Sequence, residues 1–139
     1  MESVQRDRTG VQLRWTLAAL LMLYPFRARA EGVSKAQEDA IRRLIATYER
    51  AIETKDLTLF RSAKPNLSTD EERRLKKAFE STKTHEVSIT VEALECQEKR
   101  CVVRLTRRDT LDASIVSSFP QTLRLGQSAD AWVIEQIGR

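Results

Sequence analysis

Glycine is scarce in this chain: Gly10, Gly32, Gly126 and Gly138 are all that its 139 residues contain. Phosphate-cradling loops, dinucleotide-binding turns and nucleophile elbows need clustered glycines, because the backbone must turn sharply or approach a ligand closely, so those chemistries are excluded. Histidine is scarcer still, His85 alone. It falls at the expected helix-to-strand connection and reads as a solvated loop residue, which leaves no base for a Ser-His-Asp or Cys-His device. A four-ligand zinc site would have to be completed by unspecified carboxylates, so neither a metal nor any other cofactor is expected. No apolar run is long. The best, residues 15–24, covers about 15 Å as a helix, half of a hydrocarbon core of about 30 Å, so a stable membrane span is not expected.

That short run has a different reading. Arg6, Arg8 and Arg14 precede it, Pro25 follows, and Ala28-Arg29-Ala30 has the small-x-small pattern that signal peptidases cut. Residues 1–30 are expected to be a signal peptide and residues 31–139 a single domain, secreted or periplasmic and free of the membrane after cleavage. Removing the leader changes the charge balance. The whole chain has 24 Lys+Arg against 20 Asp+Glu, and the leader takes five basic residues and two acidic ones, leaving 19 against 18. A near-neutral domain with both signs interspersed lacks the electrostatic footprint of nucleic-acid binding.

Cys96 and Cys101, the only cysteines, bracket Gln97-Glu98-Lys99-Arg100 between two strand-like runs. Facing each other across a hairpin end in an oxidising compartment, they are expected to form a disulfide. So short a loop constrains the unfolded chain by only about 2 kcal/mol.

The first half of the domain reads as helical. Ser34 and Gln37 form a capping-box pattern, followed by Ile41, Leu44, Ile45, Tyr48 and Ile52 on one helical stripe running to about Thr54. Burying five such side chains is worth roughly 8 to 15 kcal/mol before entropy is charged against it. Asp56 caps a short second helix that must stop before Pro65. Ser68 and Glu71 make a second capping-box pattern, opening a third helix with Leu75, Ala78 and Phe79 on one face. Past Lys83 the period becomes two: Val87, Ile89, Val91 and Ala93 share a face, Cys101, Val103 and Leu105 continue it on a hairpin partner, and Phe119, Gln121, Leu123 and Leu125 supply a third strand. Pro120 places its strand at an edge or at a strand start. A turn around Gly126-Gln127-Ser128 leads to a last strand at residues 131–137. The expected fold is α+β, with amino-terminal helices packed on a curved antiparallel sheet.

Two stretches carry a resemblance. Arg43-Leu44-Ile45-Ala46-Thr47-Tyr48-Glu49-Arg50-Ala51-Ile52, ending at Lys55-Asp56 before a short helix, resembles the opening helix of the nuclear transport factor 2-like superfamily. Asp130-Ala131-Trp132-Val133-Ile134 is similar to the Asp-Gly-Trp-x-Ile ending of that family's last strand, with Ala131 in place of glycine. The resemblance covers about residues 36–138. It implies a cone-like fold in which a bent sheet wraps the first helix, and a family that includes ketosteroid isomerases, dehydratases, cyclases, non-catalytic ligand-binding modules and homodimeric docking modules.

Polar residues at core-facing strand positions are the pocket candidates. Arg107 and Asp109 continue the parity of Val103 and Leu105, Gln121 shares a face with Phe119 and Leu123, and Gln136 follows Trp132 and Ile134. Tyr48 lies on the buried helical stripe. Tyr48, Arg107, Asp109, Gln121 and Gln136 are therefore the candidate ligand-binding residues, with Asp109 and Tyr48 the weak catalytic candidates. Arg104, Arg107, Arg108 and Arg124 read as cations on the solvated sheet face. The reading reached from sequence is an exported, non-catalytic domain binding a small molecule or a protein partner. The alternatives are a small pocket isomerase or lyase acting on an apolar substrate, and a homodimeric docking module.

Overall fold

The computed structural model describes residues 30–139, so the proposed export segment, Ala30 excepted, lies outside the described residues. A two-residue strand β1 (Ala30–Glu31) precedes three helices, α1 (Lys35–Glu53), α2 (Leu57–Ala63) and α3 (Thr69–Glu80). Four long strands follow: β2 (His85–Gln97), β3 (Arg100–Leu111), β4 (Ile115–Ser128) and β5 (Ala131–Gly138). They form one sheet in the order β1-β2-β3-β4-β5, antiparallel throughout except where β1 runs parallel to Leu94 and Glu95 of β2. This is the α+β layout expected from sequence.

Local chemistry sets the helix limits. Ser34 accepts a hydrogen bond from the Gln37 N–H while the Gln37 side chain accepts one from the Ser34 N–H, the full reciprocal cap. α1 ends with Lys55 at φ 56°, where the Lys55 N–H bonds the Ile52 carbonyl and the Asp56 N–H that of Ala51. Glycine usually takes that left-handed position; here the Lys55 ammonium reaches the carbonyls of Thr82 and Lys83 and ties α1 to the entrance of β2. Asp56 caps α2, and Ser68 caps α3 through the Glu71 N–H.

Between these elements Ile41, Leu44, Ile45, Tyr48, Ala51 and Ile52 of α1 meet Leu94, Val103, Leu105, Leu123, Leu125 and Ile134 of the sheet in one core. The whole expected stripe is buried. Ala78 is the exception among the expected helix faces: it is exposed, and α3 buries only Phe79 fully.

Two bulges shift the strand parity that a strict period of two would give. Between Val91 and Ala93 the β2–β3 register slips, so Leu94 and Cys96 rather than Ala93 carry the inner face onward. A second slip between Arg124 and Leu125 leaves Glu135 of β5 as the extra residue. Its carboxylate folds over Gly126, where a Cβ would lie 2.5 Å from Oε1, so Gly126 is a strand residue that makes room rather than a turn residue. The turn instead falls at Ala129 and Asp130. Ala129 sits at φ 54°, and Ala129→Gly is expected to stabilise the protein by about 0.5 to 1 kcal/mol in a urea titration.

Cys96 and Cys101 are directly opposite across β2 and β3 and disulfide-bonded, as expected. Pro120 lies inside β4, which is an inner strand. Its edge character is local: β5 pairs with β4 only from Thr122 onward, so among the described residues the stretch 115–121 has β3 on one side and no strand on the other.

Candidate functional site

Four of the five candidate residues converge. Tyr48 comes from α1, Arg107 and Asp109 from β3, and Gln121 from β4, and strand parity brings them to the inner face where the sheet runs past β5. Arg107 grips Asp109 with two hydrogen bonds, Nε to Oδ1 and Nη2 to Oδ2, both 2.6 Å. Its Nη1 donates to the Tyr48 hydroxyl at 2.8 Å, and that hydroxyl donates to Gln121 Oε1 at 3.2 Å. The guanidinium also lies over two rings, 5.7 Å from the Tyr48 centroid and 5.4 Å from that of Phe119. Arg139 covers Phe119 at 4.5 Å.

His85 is the fifth member, and sequence reasoning missed it. Rather than a solvated loop residue it is the first residue of β2, largely buried, with Nε2 2.7 Å from Asp109 Oδ2. Its parity with Val87 and Ile89 was the available signal. Gln136 is the member that does not join: the bulge at Glu135 reverses the alternation, so Gln136 is exposed and Ile137 packs against the core in its place. The solvated-face reading holds for Arg104, Arg108 and Arg124, but Arg107 turns inward.

The electrostatics follow from these partners. Burial pushes the Asp109 carboxyl up, yet the hydrogen bonds from Arg107 and His85 outweigh it and hold Asp109 below its ordinary value. Asp109 is thus an ionised, fully engaged carboxylate. A general base for proton abstraction needs the opposite, a carboxylate raised toward neutrality with a lone pair free for substrate. Tyr48 has accepted one hydrogen bond and donated another, so it is committed in the same way.

The open volume lies elsewhere. A cavity of about 600 Å³ opens between α2, α3 and β5. Phe60, Leu67, Leu75 and Ile137 supply apolar wall, and Gln136 and Arg74 stand among its polar groups. Lys64 is buried there, its ammonium 2.9 Å from Glu71 Oε2 and 3.1 Å from Asn66 Oδ1. The Lys64 hydrogen bond holds the Glu71 carboxyl below its ordinary value. Asn66 in turn donates to the Glu135 carbonyl, fixing the loop against β5. Lys64 is the residue that caps the carboxy-terminal end of α2, and its sequence signal was its place four residues after the buried Phe60. Among the described residues no three His, Cys, Asp or Glu side chains gather closely enough to hold a metal ion.

No family model matches the chain, and no curated protein matches it in sequence. Solved structures do match. Bd1075 from Bdellovibrio bacteriovorus superposes with a TM-score of 0.64 at 15% identity over 76% of this chain, which spans only 42% of that protein. A nuclear transport factor 2-like protein of unknown function from Shewanella oneidensis MR-1 gives 0.59 at 15% identity, covering 71% of this chain and 94% of that one. A candidate dehydratase of the same family from Streptomyces avermitilis gives 0.61 at 13% identity, covering 75% and 95%. The fold is therefore the nuclear transport factor 2-like fold. A fold alone does not determine what a chain does.

Proposed function

We propose that this chain is an exported, non-catalytic binding domain whose small-molecule ligand occupies the cavity between α2, α3 and β5. The observation that carries this reading is the cavity itself: about 600 Å³ with apolar walls and a polar floor in which the buried Lys64 is held by Glu71 and Asn66, a size and make-up suited to a small organic ligand. The pocket-enzyme alternative draws on the His85–Asp109 pair, but its base is spent on Arg107. Export is supported by the leader pattern in residues 1–30 and by the Cys96–Cys101 disulfide, which persists in oxidising compartments. Among the described residues no helix is long and apolar enough to cross a membrane.

Two measurements test the reading. Mass spectrometry of the protein from the host's envelope fraction is expected to give a chain starting at Glu31, and a retained Met1 overturns the export half. For the ligand, a fluorescent apolar anion, 1-anilinonaphthalene-8-sulfonate, is expected to bind saturably at one site. Ala78 is exposed and lines the cavity, so Ala78→Trp fills it without entering the core. That variant is expected to weaken probe binding roughly tenfold, about 1.4 kcal/mol, at unchanged Tm. Undiminished binding would remove this cavity as the site.

A further inference from the structure

The margins of the sheet are covered in part, by a two-residue strand on one side and by side chains on both. On the β2 side, β1 covers Leu94 and Glu95, and Glu53 and Glu49 of α1 take the outward N–H groups of Val87 and Ile89 at 3.2 and 2.9 Å. On the β5 side, Asn66 bonds the Glu135 carbonyl. Residues 115–119 of β4 meet no such cover among the described residues. The same stretch holds Ile115 and Val116, the large apolar side chains that stand exposed, at 59% and 50%.

The direction of its main-chain groups can be worked out. Cys96 and Cys101 have a Cα–Cα distance of 4.1 Å, which marks a pair without mutual main-chain bonds, so Cys101 turns its N–H and C=O toward β4. Alternation then makes Cys101–Leu125 and Asp109–Ser117 bonded pairs, as the bond from the Gln127 N–H to the Lys99 carbonyl bears out. Val116 and Ser118 consequently aim their N–H and C=O groups outward. Pro120 has its nitrogen on that side too, where it offers no donor and ends the usable edge.

We infer that residues 115–119 pair antiparallel with the same residues of a second copy of this chain, about a twofold axis through Ser117. A second copy fits this edge for three reasons. Residues 115–119, Ile-Val-Ser-Ser-Phe, contain no charge, so no like charges meet across the axis. With the axis at Ser117, Val116 lies opposite Ser118 of the partner and each pair exchanges main-chain bonds, about four in all. The inner face gains a continuous apolar row, because Ile115 falls beside Phe119 of the partner and already neighbours Leu111 on β3. That row adjoins Arg107, which pairs with Phe119, so the partner copy would shelter the rim of the polar cluster. The inference is independent of the ligand reading.

Ser117 against Ser117 would be a close pair without mutual main-chain bonds, the geometry in which Cys96 and Cys101 are already joined. Ser117→Cys in the full-length chain is therefore expected to form an intermolecular disulfide when glutathione disulfide is supplied as oxidant and is itself reduced to two glutathione thiols, the link being mapped by peptide mass spectrometry to position 117. Ile115→Cys, whose opposite number is Phe119, is expected not to cross-link. By sedimentation the unmodified protein is expected to be dimeric at about 100 µM, and Val116→Lys to weaken association at least roughly tenfold. All three positions are exposed or at the strand end, and circular dichroism of each variant checks the fold. A monomer at every concentration, a dimer indifferent to Val116→Lys, or a Ser117→Cys protein that does not cross-link overturns the inference.

Discussion

Arg107→Met is expected to destabilise the protein by about 3 kcal/mol, seen as a fall in Tm of roughly 12 °C. The substitution keeps much of the side-chain volume but leaves the Asp109 carboxylate buried without its two-pronged partner. Breaking a buried pair from one side typically costs about 3 to 5 kcal/mol, and the low end applies because His85 keeps one bond to Asp109. The double variant Arg107→Met/Asp109→Leu removes both charges and should recover most of the loss. A single variant as stable as the parent would mean that Asp109 is not held as described. The pH dependence has a definite sign. Asp109 has a folded-state pKa below its unfolded value, so its stabilisation is complete above the unfolded value of about 3.9 and is lost as pH falls through the depressed folded value. The Arg107→Met protein should lack that acid limb, measurable as a flatter urea midpoint across the acidic range.

Ile41→Ala is expected to cost about 3 to 4 kcal/mol, because Ile41 is wholly enclosed and its deletion leaves a cavity that α1 and the sheet cannot close without moving. Ala46 stands on the exposed side of the same helix, and Ala46→Ser should stay within about 0.5 kcal/mol of the parent. Equal effects at the two positions in chemical denaturation would contradict the orientation of α1.

These outcomes bear on how much of the molecule the sequence made readable. Short-range chemistry was legible: the Ser34–Gln37 cap, the stripe from Ile41 to Ile52 and the opposed cysteines follow from spacing, whereas parity placed Tyr48, Arg107, Asp109 and Gln121 only at core-facing positions and the bonds that join them are long-range. Parity counting failed where the strand geometry is irregular. A single extra residue at Glu135 sent Gln136 outward, and nothing in the local composition except Gly126, distant in sequence, hinted at it. His85 was misplaced because β2 begins earlier than its apolar alternation does. Lys64 went unremarked because a lysine ordinarily stays in water, and its burial depends on Glu71 and Asn66 arriving from the next turn of chain. The pairing of β1 with Leu94 and Glu95 is a contact between distant segments and has no local signature at all.

The two glutamates of α1 that bond β2 have a consequence beyond holding helix to sheet. Glu49 and Glu53 lie one helical turn apart and present their oxygens to Ile89 and Val87, doing for that margin what another strand would otherwise do. Burial raises the Glu49 carboxyl above its ordinary value, so this arrangement is maintained at some energetic cost. Were both side chains shortened, each molecule would have two unlike bare margins, one on β2 and one on β4. Copies paired through β4 would then carry a bare β2 margin at each end, and growth through those margins would have no natural end. Two carboxylates thus stand between a closed pair and a filament.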